Sequence, residues 1–301
     1  MPVGFPLASS VGSWRQPVLN VCARANMAIN QITALPSNNG VERMSAIFQG
    51  FSFSRHRHDT YAIGITTGGI QTFTYRGAAR HSIRGQAFVL HPDEQHDGRA
   101  GDARGFSYHI AYIDPSLILA ATGGKCLPFV HEPVSNDAHL CHAVRALLSA
   151  PHDGEGESAT ASSIVALSDA LSRMAGSAST RTSAINLSGV RATRDALLSA
   201  PGAKISISAL ERLSGMSRWQ LARQFRSAYG VSPYRFQLLR RLEQARDLLL
   251  RAGPLADIAV ACGFADQAHM SRHFRNAYGV SPGQWRALMG RISAAQPARL
   301  R

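Results

Sequence analysis

Five arginines, Arg218, Arg223, Arg226, Arg272 and Arg275, share helical spacing with Trp219, Ala222, Gln267, Ala268 and His269. The periodicity turns all ten side chains away from an apolar stripe. That stripe is Ala209, Leu210, Leu213, Leu221 and Phe225 in the first group, and Ile258, Ala259, Phe264, Met270 and Phe274 in the second. Guanidinium groups in such a row suit phosphate and guanine, which accept two parallel hydrogen bonds from one arginine. A second kind of chemistry lies upstream. His56, His58, Tyr61 and His96 fall in a region that holds ten of the twelve histidines. Imidazole and phenol groups there suit a small polar ligand, a metal ion, or plain core packing.

The arginine groups need a frame, and the chain carries it twice. Residues 225–236 and 274–285 start 49 positions apart and agree at eight of twelve positions. Each closes a pattern of short helix, Gly turn and Arg-rich helix. Ser206 is placed to cap a helix over Ile207–Leu213, and Ser217 one over Arg218–Tyr229, with Gly230 as its stop. Ser232-Pro233 opens a long helix to about Arg251, ended by Gly253-Pro254. Leu255–Cys262, a turn at Gly263-Phe264 and Ala265–Tyr278 repeat the scheme, and Ser281-Pro282 opens a last helix to about Met289. With a helix over Val190–Ser199 in front, this reads as two helix-turn-helix units.

Charge agrees. Residues 201–301 hold sixteen Lys and Arg against five Asp and Glu, while residues 1–200 hold sixteen against fourteen. A polyanion-binding module is therefore expected in the last third. The four cysteines, Cys22, Cys126, Cys141 and Cys262, are scattered without zinc-site spacing, which suits free thiols. No apolar run reaches the roughly 18 residues of a membrane span. No secretion signal is read at the start, so a cytoplasmic protein with no membrane partner is expected.

Residues 45–113 have a different texture. Short apolar runs at Ala46–Phe48, Tyr61–Thr66, Ile70–Tyr75, Ala87–Leu90 and Phe106–Ile113 are split by turn residues, among them Thr67-Gly68-Gly69. That spacing predicts a β-sandwich or barrel. Helices are predicted over Asp137–Leu148 and Ser162–Met174, with a loop at Pro151–Ser158 between them. The fold class is thus α+β in two domains. Expected boundaries are an N-terminal arm over 1–40, a β domain over 41–175, a linker over 176–188, a helical domain over 189–290 and a tail over 291–301.

The segment Ile258-Ala-Val-Ala-Cys-Gly-Phe-Ala-Asp-Gln-Ala-His-Met-Ser-Arg-His-Phe-Arg-Asn-Ala-Tyr-Gly-Val-Ser-Pro282 closely resembles the signature of the AraC/XylS transcription regulators. The likeness covers residues 190–290. It implies two helix-turn-helix units joined by the long helix after Pro233, with recognition helices entering successive major-groove segments. It also implies base-edge contacts at Trp219, Ala222 and Arg223, and at Gln267, Ala268, His269 and Arg272. By side-chain chemistry Arg223 and Arg272 suit guanine and Gln267 suits adenine. Ala222 departs from the polar residue often found at its position and offers only a methyl group. Arg226, Arg275, Arg240 and Arg241 are assigned to phosphate or solvent.

Arg55–Tyr61 and His91–Gly98 resemble the cupin-like effector domain that precedes many such DNA-binding domains. His56 and His58 match the start of the cupin metal motif, and His96 stands where a third ligand belongs. The acidic ligand is missing, since Ala62 and Ile63 occupy its place, so neither metal nor cofactor is expected. His56, His58, Tyr61 and His96 are taken as effector-binding groups. The helices after the β domain resemble dimerisation helices. Their apolar residues, Leu140, Val144, Leu147 and Leu148, then Ile164, Val165, Leu167, Ala170 and Leu171, equally suit packing on the sheet.

Together these features imply a non-enzymatic regulator, preferably an activator, acting on promoter DNA and RNA polymerase as a homodimer under a small effector. Two other readings remain: a constitutive dimeric DNA-binding protein, and a metal-dependent cupin enzyme fused to a DNA-binding domain. Because the two reading helices differ in sequence, each monomer should read an asymmetric site.

Overall fold

A computed structural model describes residues 31–287, apart from 39, 50, 51, 152, 153, 177–184, 252 and 279. Most of the expected linker, the tail and the first thirty residues lie outside the described residues. The expected arm over 1–40 is not all arm: Gln31–Asn38 is a strand, β1, paired antiparallel with β2 (Val41–Phe48).

The β domain continues with β3 (Ser52–His56), β4 (Tyr61–Tyr75), β5 (Ala78–Ile83), β6 (Ala87–Leu90), β7 (His96–Ala100), β8 (Phe106–Ile113) and the short β9 (Val134–Ser135). β4 organises the sheet. Its first half pairs with β6 and β8, and its second half with β5 and β7. Thr67-Gly68-Gly69 is therefore not a turn between two strands, as the sequence suggested. It is an irregularity inside one strand, with a register shift between Thr66 and Gly68. Glycine is required because Gly69 has φ 65° and a Cβ there would lie 2.0 Å from the Gly105 carbonyl oxygen.

Alternation along the strands splits the core in two. Phe48, Phe73, Tyr75, Phe88, Phe106 and Tyr108 fill the inner face with aromatic rings, and Met44 packs among them. Tyr61, Ile63, Ile65, Val89 and Ile113 face the other way, onto helices α2 (Ala138–Ser149) and α3 (Gly154–Ala175). Leu140, Val144, Leu147, Ile164, Leu167, Ala170 and Leu171 are buried in that layer. Most of the apolar faces considered for dimerisation are thus spent on the sheet, and Val165 alone of them is exposed. α3 starts earlier than expected, so 154–158 is helix and not loop. Gly156 makes this possible, since a Cβ there would meet the Pro151 carbonyl oxygen at 2.0 Å. A helix absent from the sequence reading, α1 (Pro115–Ala121), is capped by Asp114 with Pro115 in its first turn.

The helical domain follows the expected scheme. It comprises α4 (Leu187–Ser199), α5 (Ile207–Ser214), α6 (Arg218–Tyr229), α7 (Pro233–Leu249), α8 (Leu255–Ala261) and α9 (Gln267–Tyr278), with residues 282–287 again helical. Ser206, Ser217 and Ser232 accept hydrogen bonds from the backbone of the third residue beyond, and Gly215 and Gly230 end their helices in the left-handed conformation. The repeated sequence folds into a repeated cluster. Phe225, Tyr229 and Phe236 pack with ring centroids 4.8, 5.6 and 6.3 Å apart. Phe274, Tyr278 and Trp285 do the same at 4.5, 6.2 and 5.8 Å.

The two domains pack against each other. Leu119 of α1 is buried in the core of the first helical unit. The Leu127 amide donates to the Ser227 carbonyl at 3.0 Å. Pro92 of the β domain fills the space beside Gly230, where a Cβ would come within 2.4 Å of it.

Candidate nucleic-acid interface and its link to the β domain

α6 and α9 each begin at a turn and present their arginines to solvent. On α6, Arg218, Trp219, Arg223 and Arg226 are exposed, and Ala222 is half-buried. Trp219 is 73% exposed, an unusual setting for an indole, and the Arg218 guanidinium lies 4.9 Å from its ring centre. On α9, Gln267, Ala268, Arg272 and Arg275 are exposed, and His269 is half-buried against Phe264 and His273. His269 Nδ1 accepts from the Ala265 amide at 3.4 Å, which leaves the proton on the outward Nε2 as a donor. Asp266 accepts the His269 amide at 2.7 Å and so caps the start of α9. The expected core residues of both units are buried or half-buried, except Leu213, which is 47% exposed.

Two arginines assigned to phosphate or solvent are engaged within the protein. Arg240 of α7 is 5% exposed and pairs with Asp59 of the β domain and, at 2.8 Å, with Glu243. Burial alone would lower its pKa, but Asp59 and Glu243 hold it above the ordinary value. Burial raises the Glu243 carboxyl to about 7, against the pull of Arg240. Arg241 is spent on three backbone carbonyls: Pro201 at 2.8 Å, Gly263 at 3.1 Å and Ala203 at 3.0 Å.

Arg226 is only partly free. Asp93 of the β domain stands 3.8 Å from Arg226, 3.5 Å from Arg57 and 3.2 Å from Arg235 at the start of α7. Asp93 has φ 62°, a left-handed conformation that aspartate tolerates better than most residues. A third link joins Asp114 to Arg194 of α4 at 3.4 Å. These acidic partners were not legible in the sequence. Asp59–Arg240 spans 181 positions and Asp93–Arg235 spans 142, and neither has a local pattern to mark it.

The histidines divide from the tyrosine expected beside them. His56, His58 and His96 converge, with ring centroids 4.3 Å (His56–His96) and 4.9 Å (His58–His96) apart. Tyr112 joins His58 at 5.3 Å. His58 Nδ1 donates to the Thr60 carbonyl at 2.9 Å and His96 Nδ1 to that of Glu94 at 3.0 Å. Desolvation, helped by the charge of His56, pushes His58 down to about 3 and His96 in the same direction. Tyr61 sits one residue out of phase with the inner face, on the outer layer, and donates to the Pro128 carbonyl at 2.9 Å. There it lines a crevice of about 420 Å³ at the domain junction, with Arg57, His91, Phe129, Cys126 and Arg226. His91 is a fixed wall: Nε2 accepts from the Val130 amide at 3.0 Å and Nδ1 bonds the Tyr75 hydroxyl at 2.8 Å. Desolvation pushes it down to about 3. Among the described residues, no group of three His, Cys, Asp or Glu is arranged to hold a metal ion.

Comparison with known proteins agrees with this geometry. Residues 38–171 match the sequence model of an AraC-like ligand-binding domain, and residues 210–288 that of a helix-turn-helix domain. An uncharacterised helix-turn-helix transcriptional regulator of Bacillus subtilis, YbfI, is 24% identical over 233 residues, covering 76% of this chain and 84% of its own. The probable transcriptional regulator LumQ of Photobacterium leiognathi is 34% identical over 69 residues, or 23% of this chain and 28% of its own. Among solved structures, ToxT of Vibrio cholerae superposes with a TM-score of 0.58 at 10% identity over 84% of this chain and 99% of its own. A ToxT structure with bound unsaturated fatty acid gives 0.57 at 14% identity, over 84% and 96%.

Proposed function

The chain belongs to the AraC family of transcription regulators, and on that premise we propose that it binds promoter DNA through α6 and α9 as an activator under a small effector. The observation that carries this is the pair of reading faces, largely exposed, on two units of the same architecture. Arg218, Trp219, Ala222, Arg223 and Arg226 form one, and Gln267, Ala268, His269, Arg272 and Arg275 the other. Arg223 and Arg272 take guanine, Gln267 takes adenine, and Arg226 and Arg275 take phosphate. The faces differ, so the site is asymmetric within one monomer.

Effector control runs through the junction. An effector acts only by favouring one arrangement of the domains over another. The inner face of the sheet is filled by aromatic rings, whereas the crevice at Tyr61, His91 and Phe129 has walls from both domains. A ligand there bears on Arg226 directly. His56, His58 and His96 line the inner face just ahead of Asp59, and a ligand that moves them moves the partner of Arg240. The protein acts in the cytoplasm as a homodimer and contacts RNA polymerase.

Selection of duplexes from a random library by the full-length protein tests the DNA reading. One asymmetric consensus, weakened by Arg223→Ala in one half and by Arg272→Ala in the other, is expected. Uniform weakening across all sequences would overturn it. A thermal-shift screen of small molecules on the full chain tests effector control. A stabilising compound must also change affinity for the selected duplex.

A further inference from the structure

Among the described residues, the two helix-turn-helix units have separate apolar cores. The first cluster takes Val190, Leu210, Leu221, Phe225 and Tyr229 and ends on α7 at Phe236. The second starts on α7 at Leu238 and takes Ile258, Phe264, Met270, Phe274 and Trp285. Cores that meet only along one helix leave its bending free to change their relative position.

Among the described residues, polar contacts from α7 bridge the two cores. The Arg241 guanidinium bonds Pro201 and Ala203, in the connection before α5, and Gly263, in the turn before α9. Gln237 Nε2 adds a second bond to the Ala203 carbonyl at 2.8 Å. The backbones touch at the same point: a Cβ on Gly263, which has φ 76°, would lie 2.3 Å from the Gly202 oxygen. The planar fork of arginine presents fixed donors to several acceptors at once, which a lysine ammonium on its flexible stem does not match.

We infer that Arg241 is a positioning residue for DNA reading: it locks the offset between α6 and α9, and so fixes the spacing between the two groove segments the protein accepts. The role needs no contact with DNA: three of its five N–H donors are held by backbone carbonyls. The inference rests on α6 and α9 being the reading helices. One inserted base pair moves one segment by about 3.4 Å and turns it by about 34°, given roughly ten base pairs in a 34–36 Å turn. A locked pair of units cannot follow that displacement, whereas a pair released from the Arg241 contacts can bend along α7 toward it.

The test uses the full-length protein and a duplex it selects from a random library. Variants of that duplex carry one base pair added or removed between the two protected segments. Wild type should lose about thirtyfold in affinity on either variant, as when the base contacts of one segment are forfeited. Arg241→Ala should bind the parent duplex within about tenfold of wild type, yet lose less than about fivefold on the spacing variants, because its two units can shift along α7 to follow the displaced segment. Its dependence of affinity on salt should match wild type, since no phosphate contact is removed. Arg241→Lys keeps the charge and supplies a second folded variant; it too should tolerate altered spacing. An unchanged spacing penalty in both variants, or a shallower salt dependence, would overturn the inference. If wild type itself ignores spacing, the assignment of α6 and α9 fails instead.

Discussion

Replacing Arg240 by methionine removes a buried cation that joins α7 to the β domain and leaves the Asp59 and Glu243 carboxylates without it. Arg240 is 5% exposed and Asp59 13%, so the pair is screened little by water. Removing one member of a buried pair costs about 3–5 kcal/mol, because the remaining charge stays desolvated. A second route gives a similar figure. An orphaned carboxylate escapes by taking up a proton, at about 1.4 kcal/mol for each pH unit above its usual range near 4. At pH 7 that limits the cost to about 4 kcal/mol, and at pH 5 to about 1.5 kcal/mol. Glu243 is the ready acceptor, since burial already holds its carboxyl near 7. The full-length variant should therefore melt on the order of 10 °C lower at pH 7, at roughly 2–4 °C per kcal/mol for a chain of this size, and the deficit should shrink toward pH 5. Differential scanning calorimetry of wild type, Arg240→Met, Asp59→Asn and the double variant measures it. The double variant should recover more than about 1 kcal/mol relative to the sum of the singles. Additive effects, or a deficit that does not depend on pH, would show that Asp59 and Arg240 do not act as a pair.

Arg223→Ala and Arg272→Ala should each cost about 1–3 kcal/mol on the selected duplex and relax one position of its sequence, read by competition with single-base variants. Asp93→Asn should raise affinity for DNA of any sequence and steepen its salt dependence, because Arg226 is then released to a phosphate; unchanged binding in a salt titration would refute this. His58, His91 and His96 are held neutral with depressed pKa values, so their contribution to stability is complete above about pH 6.5 and is lost as pH falls. Each should remove about 1.4 kcal/mol per pH unit below 6.5, and His96→Gln should flatten the slope in urea titrations at pH 5.5 and 7.5. Gly230→Ala should destabilise the domain junction, because it combines a left-handed φ of 75° with a Cβ 2.4 Å from Pro92; an unchanged melting temperature would refute it.

What was legible in the sequence was local. Ser206, Ser217, Gly230 and Ser232-Pro233 fix helix ends through bonds to residues three or four positions away, and each performs its expected role. Short apolar runs between turn residues marked most of the strands, and Asp137 marked the start of α2. What failed depended on distant neighbours. Gly68-Gly69 carries the chemistry of a turn, yet β8 runs alongside and keeps the strand continuous. Tyr61 was grouped with His58 by proximity in sequence, although a one-residue phase difference puts it on the opposite face of the sheet. Arg240 and Arg241 looked alike as adjacent cations on a basic helix. Their roles are set by Asp59 and by the carbonyls of Pro201, Ala203 and Gly263, which the chain brings there only on folding.

The duplication shows how a regulator comes to grip one of its two equal units more firmly. In the second copy Ser281 and Gln284 form a reciprocal cap: the Ser281 amide donates to Gln284 Oε1 at 2.9 Å, and the Gln284 amide to Ser281 Oγ at 3.3 Å. In the first copy Ser232 caps the Arg235 amide at 3.2 Å, but the side chain at the position of Gln284 is Arg235. It forgoes the reciprocal bond and donates to Asp93 of the β domain at 3.2 Å instead. Arg226, the counterpart of exposed Arg275, faces the same aspartate. A reciprocal cap is worth on the order of 1 kcal/mol, and a charge-assisted hydrogen bond to a half-buried carboxylate about 1.5–3 kcal/mol, so the exchange favours docking over helix stability. The same side of the first unit also receives Leu119, Leu127 and Pro92. A displacement of the β domain thus reaches α6 and the start of α7 first. It reaches α9 through direct packing of β3 on α9 as well as through α7 and the Arg241 contacts, so the lock between the units adds a second link between the reading helices.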